Sequence, residues 1–154
     1  MSGQLQGAQP PADYASPLAE LAWSLSGIER RLTAGLAVAL SEESISVDQW
    51  RVLDLIGRLD SPTMGELAEA TEMPNATLSR IIDSLEDAAS AFRLPAPADR
   101  RRITVQLSDR GEQRLIRIRA IVEAWECATS LRLGPDAAAA LLRAVSTAER
   151  ALGD

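Results

Sequence analysis

Four arginines, Arg93 and Arg100, Arg101 and Arg102, crowd into ten residues of a chain that otherwise carries an excess of acid. They fall within FRLPAPADRRRITVQLSDRG, residues 92–111, where a short apolar run, a proline-broken turn and an alternating run follow one another. Guanidinium groups gathered at a projecting turn suit phosphate, which they meet through charge-assisted and often bidentate hydrogen bonds. Asp99 could hold Arg101 in one orientation while Arg100 or Arg102 reaches phosphate or a minor groove. The competing reading is an ordinary charged turn with surface ion pairs, each worth ~0–1 kcal/mol.

A second set of polar residues precedes the turn. On a helix opening at Pro74 or Asn75 with Leu78, Ile82 and Leu85 inward, the outer side carries Asn75, Ala76, Ser79, Arg80 and Asp83. Asn75 suits adenine, Arg80 suits guanine and Ser79 suits either, while Thr77 in the first turn could meet a phosphate beside the helix N–H groups. Residues 63–92 nevertheless hold one arginine against six acids. A solvated face with a local Arg80–Asp83 contact is therefore the alternative.

Other chemistry is thinly represented. There is no histidine and a single cysteine, so a disulfide within the chain and a His-based metal site or catalytic base are excluded. Neither a glycine-rich phosphate loop nor a paired-cysteine site occurs, and no enzyme, metal or cofactor is expected. Cys127 could sense oxidants, but beside Trp125 on a helix it reads more simply as a buried structural thiol. Trp23 and Trp50 are core or interface residues first. With Tyr14 they could also line a cleft for an aromatic or amphipathic molecule between the first helix and the central segment.

These groups need a scaffold, and the pattern supplies one. Apolar residues at Leu18, Leu21, Leu25, Ile28, Leu32 and Leu36 predict a helix from Pro17 to Leu40. Ser46-Val-Asp-Gln49 and Thr63-Met-Gly-Glu66 are capping-box patterns that open two further helices. The second of these and the helix from Pro74 or Asn75 lie three or four residues apart, a helix-turn-helix signature. Phe92–Leu94 and Ile103–Leu107 read as the strands of a hairpin, with Pro95 and Pro97 in its loop or at its edge. Ser108 caps a long helix to about Leu131, and Gly134-Pro135 separates it from a last one. The expected fold is mainly α: a winged helix-turn-helix with a two-stranded wing, flanked by helices at both ends.

Residues 1–16 are expected to be a flexible leader, 17–45 an N-terminal dimerisation helix and linker, 46–107 the winged helix-turn-helix, and 108–154 C-terminal dimerisation helices. The outer helices carry more apolar surface than so small a central module can cover, which points to a homodimer. Charge is equally divided in space. The net charge is −6, yet residues 93–119 hold eight arginines against Asp99, Asp109 and Glu112, a local +5 that leaves −11 for the rest. Within that band Arg110 and Arg114, one helical turn apart, are expected to reach flanking phosphates, and Arg117 and Arg119 to form a solvated face. A focused positive field suits double-stranded DNA while the remainder stays soluble. No apolar run approaches the ~18 residues of a bilayer span, and no secretion signal opens the chain, so a cytoplasmic location is expected.

The stretch from Ser46 to Gly111 resembles the MarR family of bacterial transcription regulators. Leu85-Glu86, Arg93, Asp99-Arg100-Arg101, Leu107-Ser108 and Gly111 stand in the family's order and spacing. Thr63, Glu66, Leu67 and Ala68 match its preceding helix, and Thr77, Ser79 and Arg80 its recognition helix. The resemblance implies a dimer held by the first and last two helices and bound to a pseudo-palindromic promoter element. Recognition helices would enter major grooves and wings approach minor grooves, usually in repression that a small aromatic or phenolic effector relieves. Pro74 departs from the family's capping serine, and Ala89-Ser90-Ala91 stand where it shows glycine, leucine and an aliphatic residue. The rival is a winged-helix protein-interaction module whose DNA binding has weakened or been lost.

Overall fold

The computed structural model describes residues 17–59, 61–96 and 99–153 of the 154-residue chain. The chain divides into two compact units, the first ending at Ala34 and the second beginning at Gly35. Helix α1 (Pro17–Leu40) continues through that boundary. A single 3-10 turn (Ser41–Glu43) then leads to α2 (Val47–Arg58), α3 (Met64–Thr71) and α4 (Asn75–Asp87). Strands β1 (Ala91–Pro95) and β2 (Ile103–Leu107) follow, then α5 (Asp109–Leu133) and α6 (Pro135–Leu152).

Both expected capping boxes form. The Ser46 hydroxyl accepts from Gln49 N–H at 3.1 Å while the Gln49 side chain accepts from Ser46 N–H at 2.9 Å. Thr63 and Glu66 repeat the exchange at the start of α3, at 3.2 and 2.7 Å. Two orphan donors are satisfied each time, which fixes where α2 and α3 begin.

The second unit has one core. Val52, Leu53 and Ile56 of α2, Leu67 of α3, and Leu78, Ile82 and Leu85 of α4 meet Val105 of β2 and Leu115 and Ile118 of α5. These are the inner stripes that helical and strand periodicity picks out of the sequence. The wing is antiparallel with Ala91 opposite Leu107 and Pro95 opposite Ile103, so Pro95 closes the ladder at its end, where it interrupts least. Residues before α3 form a partial third strand: Val105 N–H donates to Pro62 O at 2.9 Å, and Thr63 bridges Thr104.

The outer helices contrast with this core. In the first unit Leu18, Leu21, Trp23, Leu25 and Ile28 of α1 are all exposed. Along α6 no residue is buried, and Leu142 and Leu152 are 69% and 86% exposed. Cys127, expected to be buried, is exposed. The reason is length: beyond Val122 only Trp125 of α5 still packs on the core.

Candidate nucleic-acid interface

α3 and α4 are joined by Glu72, Met73 and Pro74, with Glu72 in the left-handed conformation at φ 54° that reverses the chain. Pro74 caps α4 without a side-chain hydrogen bond, so the first turn presents its N–H groups beside exposed Asn75, Ala76 and Thr77. Arg80 is exposed and has no ion pair among the described residues, and Ser79 is half-buried. The local Arg80–Asp83 contact does not form, because Asp83 is taken by Arg93 at 2.8 Å.

Arg93 differs from the other hairpin arginines. Its guanidinium turns onto α4, where it bonds the carboxylates of Asp83 and Glu86 and donates to Ser79 O at 3.3 Å. Its own backbone N–H donates to Glu86 Oε1 at 2.9 Å. With a side chain only 26% exposed, it braces the wing against α4 and offsets part of the charge of two acids on that segment. Glu86 and Arg93 are seven residues apart across a chain reversal, so no helical or strand spacing signals their contact.

At the tip the chain makes a tight turn. Arg102 N–H donates to Asp99 O at 2.9 Å, and Ala96 N–H to Arg102 O at 2.8 Å. Arg100 and Arg101 therefore occupy the two corners of a β-turn, and Arg100, Arg101 and Arg102 are all exposed, unpaired with any described acid. Asp99 does something other than expected. Its carboxylate accepts from the backbone N–H of Arg101 at 3.0 Å instead of gripping the guanidinium, so it stabilises the turn and leaves the Arg101 side chain to solvent. Pro97, expected in the loop, lies outside the described residues.

The arginines of α5 depart furthest from expectation. Arg114, expected at a flanking phosphate, is 13% exposed and bonds Glu43 O, Ser44 O and Ser90 Oγ at 2.6, 3.4 and 3.1 Å. Arg117 and Arg119, expected on a solvated face, are both engaged. Arg117 pairs with Glu43 at 2.8 Å, and Arg119 meets the buried Asp54, which also holds Arg58 at 2.6 Å. Hydrogen bonding by Arg117 holds the Glu43 carboxyl below the usual range against a smaller opposing effect of burial, with the charges of Arg117 and Arg114 adding to it. Arg110 alone of this set is exposed without a described partner. Four of the eight arginines in residues 93–119 are thus engaged with other parts of the fold, and three of the four with no described ion-pair partner stand at the wing tip.

Of the expected effector residues, Tyr14 lies outside the described residues and Trp23 is 74% exposed in the first unit. Trp50, in the second, packs partly against the core, and its buried indole N–H has no hydrogen-bond partner among the described residues. Trp50 borders a groove of about 370 Å³ with Arg51, Leu55, Arg58 and Thr71. A larger open groove, about 560 Å³, runs between the end of α2, β2 and α5 past Ile56, Leu107, Leu115 and Arg119. Among the described residues no group of three or more His, Cys, Asp or Glu could hold a metal ion. Likewise no described helix is long and apolar enough to cross a membrane.

Two capped helices set at a tight turn, a braced hairpin with a cationic tip and long flanking helices define a winged helix-turn-helix protein. The family model described as MarR family matches residues 44–102, which covers the module from just before α2 to the wing tip. Over that module the chain is similar to the MarR family. Its sequence is 28% identical over 91 residues to the HTH-type transcriptional regulator PecS of Dickeya dadantii (strain 3937). That match takes in 57% of this chain and 55%, about half, of PecS. The transcriptional repressor CouR, solved bound to a 23-mer DNA duplex, superposes with a TM-score of 0.80 at 25% identity, over 86% of this chain and 94% of CouR. A cysteine-to-serine mutant of MarR from E. coli, complexed with operator DNA, has the same fold: TM-score 0.80, 22% identity, 89% of this chain and 99% of that one.

Proposed function

We propose that the chain is a sequence-specific DNA-binding transcriptional regulator that acts as a homodimer, represses from a pseudo-palindromic promoter site and responds to a small aromatic or phenolic effector. The observation that carries this reading is the wing tip. Three arginines stand exposed at a fixed turn with no described acid as partner, while Arg93, Arg114, Arg117 and Arg119 of the same stretch are engaged with other parts of the fold. In the proposed complex Arg100, Arg101 and Arg102 meet phosphate or the minor groove, with Asp99 holding the turn. Asn75, Thr77, Ser79 and Arg80 lie along the major groove, and Arg93 keeps wing and helix in one pose. The likeness to CouR and to MarR, both solved with DNA, supports the same mode of binding.

The homodimer follows from surface chemistry. Leu131, Leu142 and Leu152, each more than two-thirds exposed, would be covered by the same helices of a second copy. For the effector, Trp50 offers an aromatic wall on the groove it shares with Arg51, Leu55, Arg58 and Thr71, and an indole donor with no acceptor among the described residues. The acidity of residues 63–92 favours the rival reading as an interaction module, and the Arg93 brace weakens that argument by offsetting one of the two charges of Asp83 and Glu86. The test is footprinting on the upstream intergenic DNA over a range of salt, with and without aromatic carboxylic acids and phenols. A protected two-fold site with a steep salt slope, flattened by replacing Arg100, Arg101 and Arg102 with alanine, is expected. Salt-independent or absent protection would overturn the reading.

A further inference from the structure

The start of α5 carries a row of contacts that local sequence pattern does not announce. Ser108, Gly111, Arg114 and Arg117 recur every three residues, so each neighbours the last on a path that winds slowly around the first turns of the helix. Ser108 Oγ donates to Ala89 O at 2.6 Å, and Ser108 N–H donates to Ser90 O at 3.1 Å. At Gly111 the Ser90 carbonyl comes so close that any Cβ would collide with it. Arg114 then donates to Ser90 Oγ on one side and to Glu43 O and Ser44 O on the other, and Arg117 holds the Glu43 carboxylate from the next turn. The segment that ends α4 is thereby pinned between α5 and the connection from α1 to α2.

Arg114 is the member of this row that spans both sides. It lies 71 residues from Glu43 and 24 from Ser90, so it joins three segments distant in sequence through one planar, multiply donating group. Its burial makes the arrangement exacting: a guanidinium at 13% exposure keeps its place only while its acceptors keep theirs. The acceptors on one side are main-chain carbonyls at a turn whose Ser44 is itself in the left-handed region at φ 51°.

We propose that Arg114 is a positioning residue that fixes the end of α4 against α5, and through it the half-site spacing that a dimer accepts. The proposal rests on the reading of the protein as a DNA-binding dimer. Two-fold readers require their helices at a set separation, about one turn of duplex or a multiple of it. An element that fixes α4 to the long α5 sets that separation without touching DNA.

The experiment has two arms on the full-length chain. In the first, spin labels at native Cys127 and at Ala76→Cys report the within-chain distance from α5 to α4, labelled chains being diluted into unlabelled ones. Wild-type chains give one narrow distribution; Arg114→Met broadens it, Ser90→Ala broadens it less, and Arg114→Lys restores part of the order. In the second arm, affinity is measured for the upstream site and for copies whose half-sites are moved apart or together by one base pair. Arg114→Met loses about tenfold on the natural spacing, the cost of one misplaced base contact, while binding to unrelated DNA and the salt slope stay as in wild type.

An unchanged distance distribution in folded Arg114→Met overturns the proposal. So does a broadened distribution that leaves spacing discrimination intact. If Arg114→Met does not fold, Ser90→Ala and Arg114→Lys carry both comparisons. If wild-type chains bind no upstream DNA, the functional reading falls, and the claim that Arg114 fixes α4 is still decided by the first arm.

Discussion

Asp99 illustrates how a side chain's action can differ from the one its neighbours in sequence suggest. An aspartate before three arginines is an obvious ionic partner, and charge complementarity is what the sequence displays. The geometry gives the carboxylate to the Arg101 backbone N–H, the bond by which Asp side chains fold turns. The distinction can be tested, because an Asx turn needs an oxygen acceptor and no charge. Asp99→Asn retains that acceptor while removing a negative charge from the tip that the proposed complex sets against DNA, so it should bind operator DNA at least as tightly as wild type. Asp99→Ala removes the acceptor, loosens the turn by about 1 kcal/mol, one hydrogen bond, and should bind more weakly. Fluorescence anisotropy at one fixed salt concentration separates the two. Equal weakening by both variants would restore the guanidinium clamp.

At the scale of elements, the starts of helices and the ends of α1 and α5 were legible, and the end of α4 was not. Ser46, Thr63 and Ser108 each announce a helix because capping is a matter of neighbours three residues apart. The end of α4 follows a different rule. Ala89 adopts φ 52°, with Ala89 N–H donating to Glu86 O and Ser90 N–H to Leu85 O, the pair of bonds of a Schellman closure. That position favours glycine, and alanine occupies it against a steric cost, so the chain neither runs on nor loosens where Ala89-Ser90-Ala91 departs from the family. The compensation is tertiary: Ser108 donates to the carbonyls of Ala89 and Ser90, and Gly111 leaves room for that of Ser90, contacts that no periodicity within α4 could reveal. Since Ala89 is exposed, Ala89→Gly relieves the strain without removing packing. It should stabilise the chain by about 1 kcal/mol and raise the melting temperature by roughly 2–4 °C. A lower melting temperature would mean that the glycine's extra freedom in the unfolded chain outweighs the strain.

For the whole molecule, the long-range ion pairs were the part hidden from the sequence. Arg114, Arg117 and Arg119 look like one more stretch of a cationic band. Their partners Glu43 and Asp54 stand 65 to 74 residues away, a separation over which only the fold decides who meets whom. The consequence is a specific acid sensitivity. Glu43 ionises more readily in the folded chain than a free glutamate does, chiefly through its hydrogen bond from Arg117. Its contribution to stability is therefore complete above the unfolded value of about 4.3 and is lost as pH falls through the lower, folded value. Glu43→Gln keeps the size and one acceptor but has no charge to lose. Urea midpoints measured from neutral pH down to strongly acidic pH should put this variant below wild type at neutrality, with the gap closing as the acid limit is approached. Only the difference between the two curves counts, because the remaining acids titrate alike in both. A gap that stayed constant with pH would show that Glu43 acts through packing and neutral hydrogen bonds, and would reduce the Arg114–Glu43–Arg117 cluster from an ionic lock to a matter of shape.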